Sequence, residues 1–159
     1  MWTKKLGLIN YDANLMNELL QLMVVSKVDY TIFFRKLSHI PHQLGVLKES
    51  FYIPSSEQVD ARWSNWLQRW RDRVTSCCDP RVTSAEMKRI NPKYTWREWL
   101  IAPAYKKAEK GDYSLIKELQ TVFSNPYDEQ SSKVEMKYDL LKPKKFFNAG
   151  GISHYSCSS

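Results

Sequence analysis

An all-α fold is what this sequence predicts, on three observations. Glycine is scarce, five in 159 residues, too few for the tight turns of a strand-rich chain. Apolar residues recur at intervals of three and four, not two. The stretches with that period open on Asp, Ser or Thr and close on Gly or Asn-Pro, the residues that start and stop helices. With 43% hydrophobic and 13% aromatic residues, the chain can bury a core and does not have the composition of a disordered one.

The elements follow in order. Asp12 caps a helix through Leu15, Leu19, Leu22 and Met23. Asp29 caps a second, Tyr30 to Ser38, burying Ile32, Phe33, Phe34 and Leu37, with Val28 as its hydrophobic staple. Pro41, Gly45, Pro54 and Ser55-Ser56 mark a connector that holds a short helix around Leu47. Trp63, Trp66, Leu67, Trp70 and Val74 then form a single stripe of 3.6-residue period. Cys77-Cys78-Asp79-Pro80 ends that helix. Thr83-Ser84-Ala85-Glu86 reads as a capping box opening the next, which Asn91-Pro92 stops. Thr95-Trp96-Arg97-Glu98 is a second such box, and Pro103 should kink or restart the helix after it, because it lacks an amide donor. Gly111 ends that helix. Asp112 or Ser114 starts another, burying Leu115, Leu119, Val122 and Phe123 and closing at Asn125-Pro126. One more helix is expected near Val134 to Leu141. Residues 1–145 thus read as one helical module and 146–159, with Gly150-Gly151, as an extended tail.

Charge and cysteine usage narrow the function classes. The 24 basic and 17 acidic residues give a net charge of +7, which suits an anionic partner without choosing one. The Trp/Arg helix from Arg62 to Arg73 has the residue types of a surface for single-stranded nucleic acid. That surface needs exposed rings, whereas one stripe at helical spacing places them in a core. Nucleic acid is therefore the disfavoured partner. The three cysteines show no zinc spacing and no secretory framework, so a reducing compartment is expected. His39 and His42 are three apart with Pro41 between them, a poor metal pair. Asp128-Glu129 reads as a solvated or capping pair. No apolar run reaches transmembrane length, and residues 1–8 read as mid-domain sequence with no leader, so no membrane partner is expected. Neither a phosphate-cradling glycine loop nor a kinase-type metal-binding constellation occurs. On the residues alone there is no catalytic, cofactor-binding or metal-binding set. Cys157 stands apart, an accessible thiol in a hydroxyl-rich tail that no helix claims.

Several blocks, in order, resemble one family. They are Lys5-Leu6-Gly7-Leu8, Val28-Asp29-Tyr30-Thr31-Ile32-Phe33-Phe34-Arg35, and Ala61-Arg62-Trp63 with Trp66-Leu67-Gln68-Arg69-Trp70. Met87-Lys88-Arg89-Ile90-Asn91-Pro92-Lys93-Tyr94, Ala108-Glu109-Lys110-Gly111-Asp112-Tyr113-Ser114 and Asn125-Pro126-Tyr127-Asp128-Glu129-Gln130 follow. The chain ends in Ser156-Cys157-Ser158-Ser159. Together they resemble the C-terminal portion of selenoprotein O, a family of kinase-fold protein adenylyltransferases. The match departs at Thr95-Trp96-Arg97-Glu98-Trp99 and at Lys142-Pro143-Lys144-Lys145-Phe146-Phe147.

The resemblance implies a protein that binds ATP and Mg, the nucleotide reversed relative to a kinase. It transfers AMP to Ser, Thr or Tyr of protein substrates, in a redox-linked role and in the cytoplasm, or in mitochondria if eukaryotic. The family's catalytic and metal-binding residues match no position here. The implied role for this segment is structural, against an upstream kinase-like domain, with Cys157 matching the family's near-terminal redox Cys or selenocysteine. The alternative is a free-standing basic helical module that binds nucleic acid or an acidic protein.

Overall fold

The computed structural model describes residues 1–148, and of Cys77 the backbone only. The described residues are all-α, with no strand and a single isolated bridge between Val28 and Phe51. Chain contacts divide into two compact units, Met1–Pro92 and Lys93–Ser159.

The first unit holds six helices: α1 (Trp2–Lys5), α2 (Ala13–Val25), α3 (Tyr30–Leu37), α4 (Leu44–Lys48), α5 (Glu57–Cys77) and α6 (Pro80–Ile90). Helix α5 is its spine and packs on α2, α4 and α6. Its stripe of Trp63, Trp66, Leu67, Trp70 and Val74 is buried, so the aromatic residues form core, as their spacing requires. Each indole N–H donates at 2.9 Å to a different stretch of chain: Trp63 to Ser26 Oγ, Trp66 to the Leu15 carbonyl and Trp70 to the Leu6 carbonyl. Apolar side chains of α2 and α3 supply most of the remaining core, with Leu6, Ile40, Leu47, Phe51 and Met87 completing it. Asp12 and Asp29 cap α2 and α3 as expected, accepting from the amides of Leu15 and Ile32.

Two boundaries differ from expectation. Helix α5 starts at Glu57 under a Ser56 cap, well before its stripe. Helix α6 starts at Pro80, not inside Thr83–Glu86. Asp79 accepts from the Arg81 amide at 2.8 Å, and Pro80 occupies the first turn, where a missing amide costs nothing.

The second unit contains α7 (Glu98–Ala108), α8 (Ser114–Ser124), α9 (Ser132–Tyr138) and a 3₁₀ turn, Lys144–Phe146. Its core gathers Tyr94, Leu100, Ala104, Leu119, Val122 and Tyr138, with Trp99, Leu115, Ile116, Phe123 and Val134 around them. Thr95–Glu98 does not act as a capping box: α7 begins at Glu98, without a side-chain cap. The amides of Lys93 and Tyr94 both donate to the Pro126 carbonyl, which holds the entering chain outside a helix. Pro103 lies inside α7 and does not restart it. Asp112 reaches the Ser114 amide at 2.9 Å and opens α8. Helix α9 lies slightly earlier than expected, because the Asp139 amide closes on the Glu135 carbonyl. Of the expected tail, only the residues to Asn148 are described, and the first of them, Phe146, belongs to the 3₁₀ turn.

Candidate functional site

Cys157, the one site residue singled out from the sequence, lies outside the described residues. Cys78 is an exposed, free thiol beyond the end of α5. It lies on a groove of about 330 Å³ that also involves Lys4, Ile9 and Arg89. His39 and His42 are both exposed, and His42 Nε2 sits 3.2 Å from an Arg71 guanidinium nitrogen. Glu129, from the pair Asp128-Glu129, turns out to be a partner of a buried lysine.

Two clusters of buried polar groups were not expected from sequence, one in each unit. In the first unit the ends of α1, α3 and α6 meet at Asn91, which is fully buried. Asn91 Oδ1 accepts from Lys5 Nζ at 2.9 Å, and Nδ2 donates to the Lys5 carbonyl and to Ser38 Oγ, both at 2.9 Å. Ser38 Oγ donates in turn to the Phe34 carbonyl at 2.7 Å. Buried Arg35 donates to the carbonyls of Lys88 and Asn91, at 3.1 and 3.2 Å. A cation there satisfies orphan carbonyls and complements the negative end of α6. Lys5 has no carboxylate partner among the described residues. Its ammonium lies 5.1 Å from the Tyr30 ring centroid and 4.8 Å from that of Phe34. Burial holds its pKa below the ordinary lysine value.

In the second unit the buried Lys93 has three carboxylates around it. Glu129 is at 2.5 Å, Glu135 is in direct contact and Asp139 is at 3.9 Å. Burial alone would lower the lysine pKa, but the Glu129 and Glu135 carboxylates outweigh it, and the pKa stands above the ordinary value.

Neither cluster suits phosphoryl or metal chemistry. Among the described residues no three of His, Cys, Asp and Glu are arranged to hold a metal ion. Where carboxylates do gather, Lys93 occupies the place a cation would take. Neither of these two clusters of described residues fits ATP with Mg, and no step through that pair follows from them. What the clusters do is tie helix ends and connecting segments together within each unit. Arg35, Asn91 and Lys93, all from blocks that carry the family resemblance, are internal ties. Periodicity could not find them, since Asn91 and Lys5 stand 86 positions apart. The available signal was polar residues inside those blocks.

No helix among the described residues is long and apolar enough to cross a membrane. Comparison with known proteins gives one consistent result. The family model of the protein adenylyltransferase SelO matches residues 1–124. A protein nucleotidyltransferase YdiU of Methylobacillus flagellatus is 35% identical over 150 residues, covering 91% of this chain and 29% of that protein. Its counterpart in Stutzerimonas stutzeri is 41% identical over 121 residues, 75% of this chain and 24% of that one. That of Flavobacterium johnsoniae is 34% identical over 172 residues, covering 100% of this chain and 32% of its own length. The chain thus spans about a third or less of the curated relatives it matches.

Proposed function

The chain belongs to the SelO family of protein adenylyltransferases, and from that premise we propose that it is the C-terminal helical part of such an enzyme, structural and redox-regulatory and not catalytic by itself. Residues 1–145 form the helical module, and 146–159 form the tail that carries Cys157. The module completes an upstream kinase-like domain. That domain binds ATP and Mg and transfers AMP to hydroxyls of protein substrates.

The observation that carries this is one of extent. The family match takes in most of the chain, while the chain takes in only 29% of the Methylobacillus flagellatus relative. Support also comes from the buried charges, which are spent on holding helix ends together. In this role the Cys157 thiolate exchanges with a small-molecule disulfide and then with a cysteine of the catalytic part. Two thiols become one disulfide, and the small molecule leaves as two thiols.

The test is nucleotidyl transfer from labelled ATP with Mg²⁺. The chain alone is expected to label no protein. A chimera in which it replaces the matching segment of the Methylobacillus flagellatus relative is expected to do so. Metal-dependent labelling by the chain alone would overturn the non-catalytic role. For Cys157, prompt alkylation of the native chain is expected, and protection from reagent would count against an accessible redox thiol.

A further inference from the structure

Helix α2 has two apolar faces, and only one is used within the unit. Leu15, Leu19, Leu22 and Met23 are buried in the core. Leu20, Val24 and Val25 lie off that stripe and are 40%, 76% and 48% exposed. With Gln21 and Arg62 of α5 they line a shallow groove of about 470 Å³. Leu20 and Val24 are one turn apart, so the exposed face is a contiguous patch rather than scattered single residues.

The arginines of α5 sharpen the picture. Arg69 pairs with Glu18 of α2, and Arg73 pairs with Asp12, the cap of α2. Arg62, beside the apolar patch, has no ion pair among the described residues. The groove therefore combines apolar side chains with an uncompensated cation.

We propose that this face of α2 with Arg62 is the docking surface for the catalytic part of the same protein, and that it receives an apolar segment carrying a carboxylate. The proposal rests on the reading of the chain as one part of a longer transferase. More than two thirds of each relative described above lies outside the match, which supplies a covering domain. Charge argues against a second copy of the chain. A two-fold contact through this patch would bring two unpaired Arg62 side chains to one interface, and like charges there oppose association.

The test compares the isolated chain with the chimera in the Methylobacillus flagellatus relative. Leu20→Glu with Val24→Glu is made in both, and Val82→Glu, on exposed α6 surface away from the patch, serves as the control. In the isolated chain both variants should melt with the wild type, since the altered side chains are exposed. In the chimera, the α2 double variant is expected to lose at least tenfold in nucleotidyl transfer and to melt lower, while Val82→Glu does neither. A double-variant chimera as active and as stable as its parent overturns the docking face and leaves the proposed function standing.

A second readout is independent of activity. Val24→Cys should be alkylated promptly in the isolated chain and at least tenfold more slowly in the chimera, read at that site by mass spectrometry. Equal rates overturn the proposal. A folded but inactive parent chimera that still protects Val24→Cys sinks the functional reading and keeps the face. An isolated chain that dimerises, with Leu20→Glu and Val24→Glu restoring the monomer, assigns the patch to a second copy and also overturns the proposal.

Discussion

In Met1–Pro92 the three tryptophans of α5 are fully buried, and each indole N–H has an acceptor on a different segment. From Lys93 onward the tryptophans are held differently. Trp96 is 57% exposed and packs on Phe123, with ring centroids 4.4 Å apart. Trp99 is half-buried, and its N–H is shielded from solvent with no acceptor among the described residues. The same residue type thus ties helices together in one unit and mainly covers apolar surface in the other. The buried lysines differ in parallel. Lys5 is held by aromatic faces and an amide, Lys93 by carboxylates. One core is specified by directional ties through large rings, the other by apolar packing of aromatic and aliphatic side chains and one ionic knot.

The largest expected effect lies in the first core. Trp66→Ala should cost about 3–5 kcal/mol, the loss of a large buried ring and the cavity left behind. Denaturant unfolding measures the loss, and hydrogen exchange should show α2 and α5 opening together. The glycines come next. Gly7 has φ +64, and an added Cβ would lie 2.7 Å from Met87 Sδ and 2.8 Å from Thr83 Cγ2. Gly7→Ala should therefore combine left-handed strain with overpacking, about 2–3 kcal/mol. Gly111 has φ +79 and open space around it, so Gly111→Ala should carry the strain alone, about 1 kcal/mol. Equal melting shifts for the two variants would mean that α1 and α6 are not packed closely at Gly7.

Much of the fold was legible, because a 3.6-residue period and an Asp cap are local signals. The stripe of α5 and the starts of α2 and α3 need only neighbouring residues to be read. Structure and expectation part where one local signal has two meanings. Cys77-Cys78-Asp79-Pro80 does end α5, but Asp79-Pro80 is also the cap and first residue of α6, so the next helix starts there and not at Thr83. Thr95-Trp96-Arg97-Glu98 has the pattern of a capping box, but the Pro126 carbonyl takes the preceding amides and sets a different entry. The polar clusters were not legible, since nothing local says that Asn91 meets Lys5 and Ser38. The exposed face of α2 is marked in the sequence itself. Leu20, Val24 and Val25 are apolar yet fall off the stripe that Leu15, Leu19 and Leu22 define.

The two lysines predict opposite pH responses, with smaller magnitudes. The folded pKa of Lys93 is raised, so its contribution is fully present below 10.5, the unfolded value, and is lost as pH rises through the folded one. Lys93→Met should cost about 1–2 kcal/mol at neutral pH, held down because Glu129 and Glu135 are partly in solvent. The difference from wild type should shrink above pH 10.5. The folded pKa of Lys5 is lowered, so the unfolded chain binds the extra proton between that value and 10.5. Wild type should gain on Lys5→Met as pH rises through that window. At neutral pH Lys5→Met should fall within about 1 kcal/mol of wild type, because removing a buried, uncompensated charge offsets the lost amide bond and ring contacts. Parallel pH slopes for the two variants would erase the contrast between the units.

The smallest effect tests the contrast most directly. Replacing Trp by Phe removes an indole N–H and part of a ring. At Trp66 the N–H is bonded to the Leu15 carbonyl, which α2 also engages in its own ladder, so Trp66→Phe loses one hydrogen bond, about 0.5–1.5 kcal/mol, and leaves a void that adds to the loss. At Trp99 the N–H has no acceptor among the described residues, so Trp99→Phe removes an unsatisfied buried donor together with some apolar surface. The ring still faces Phe146, whose centroid lies 5.7 Å away. The two contributions oppose each other, and a net change within about 0.5 kcal/mol is expected. A loss at Trp99 as large as that at Trp66 would show that its N–H is bonded after all and that the second core also depends on directional ties.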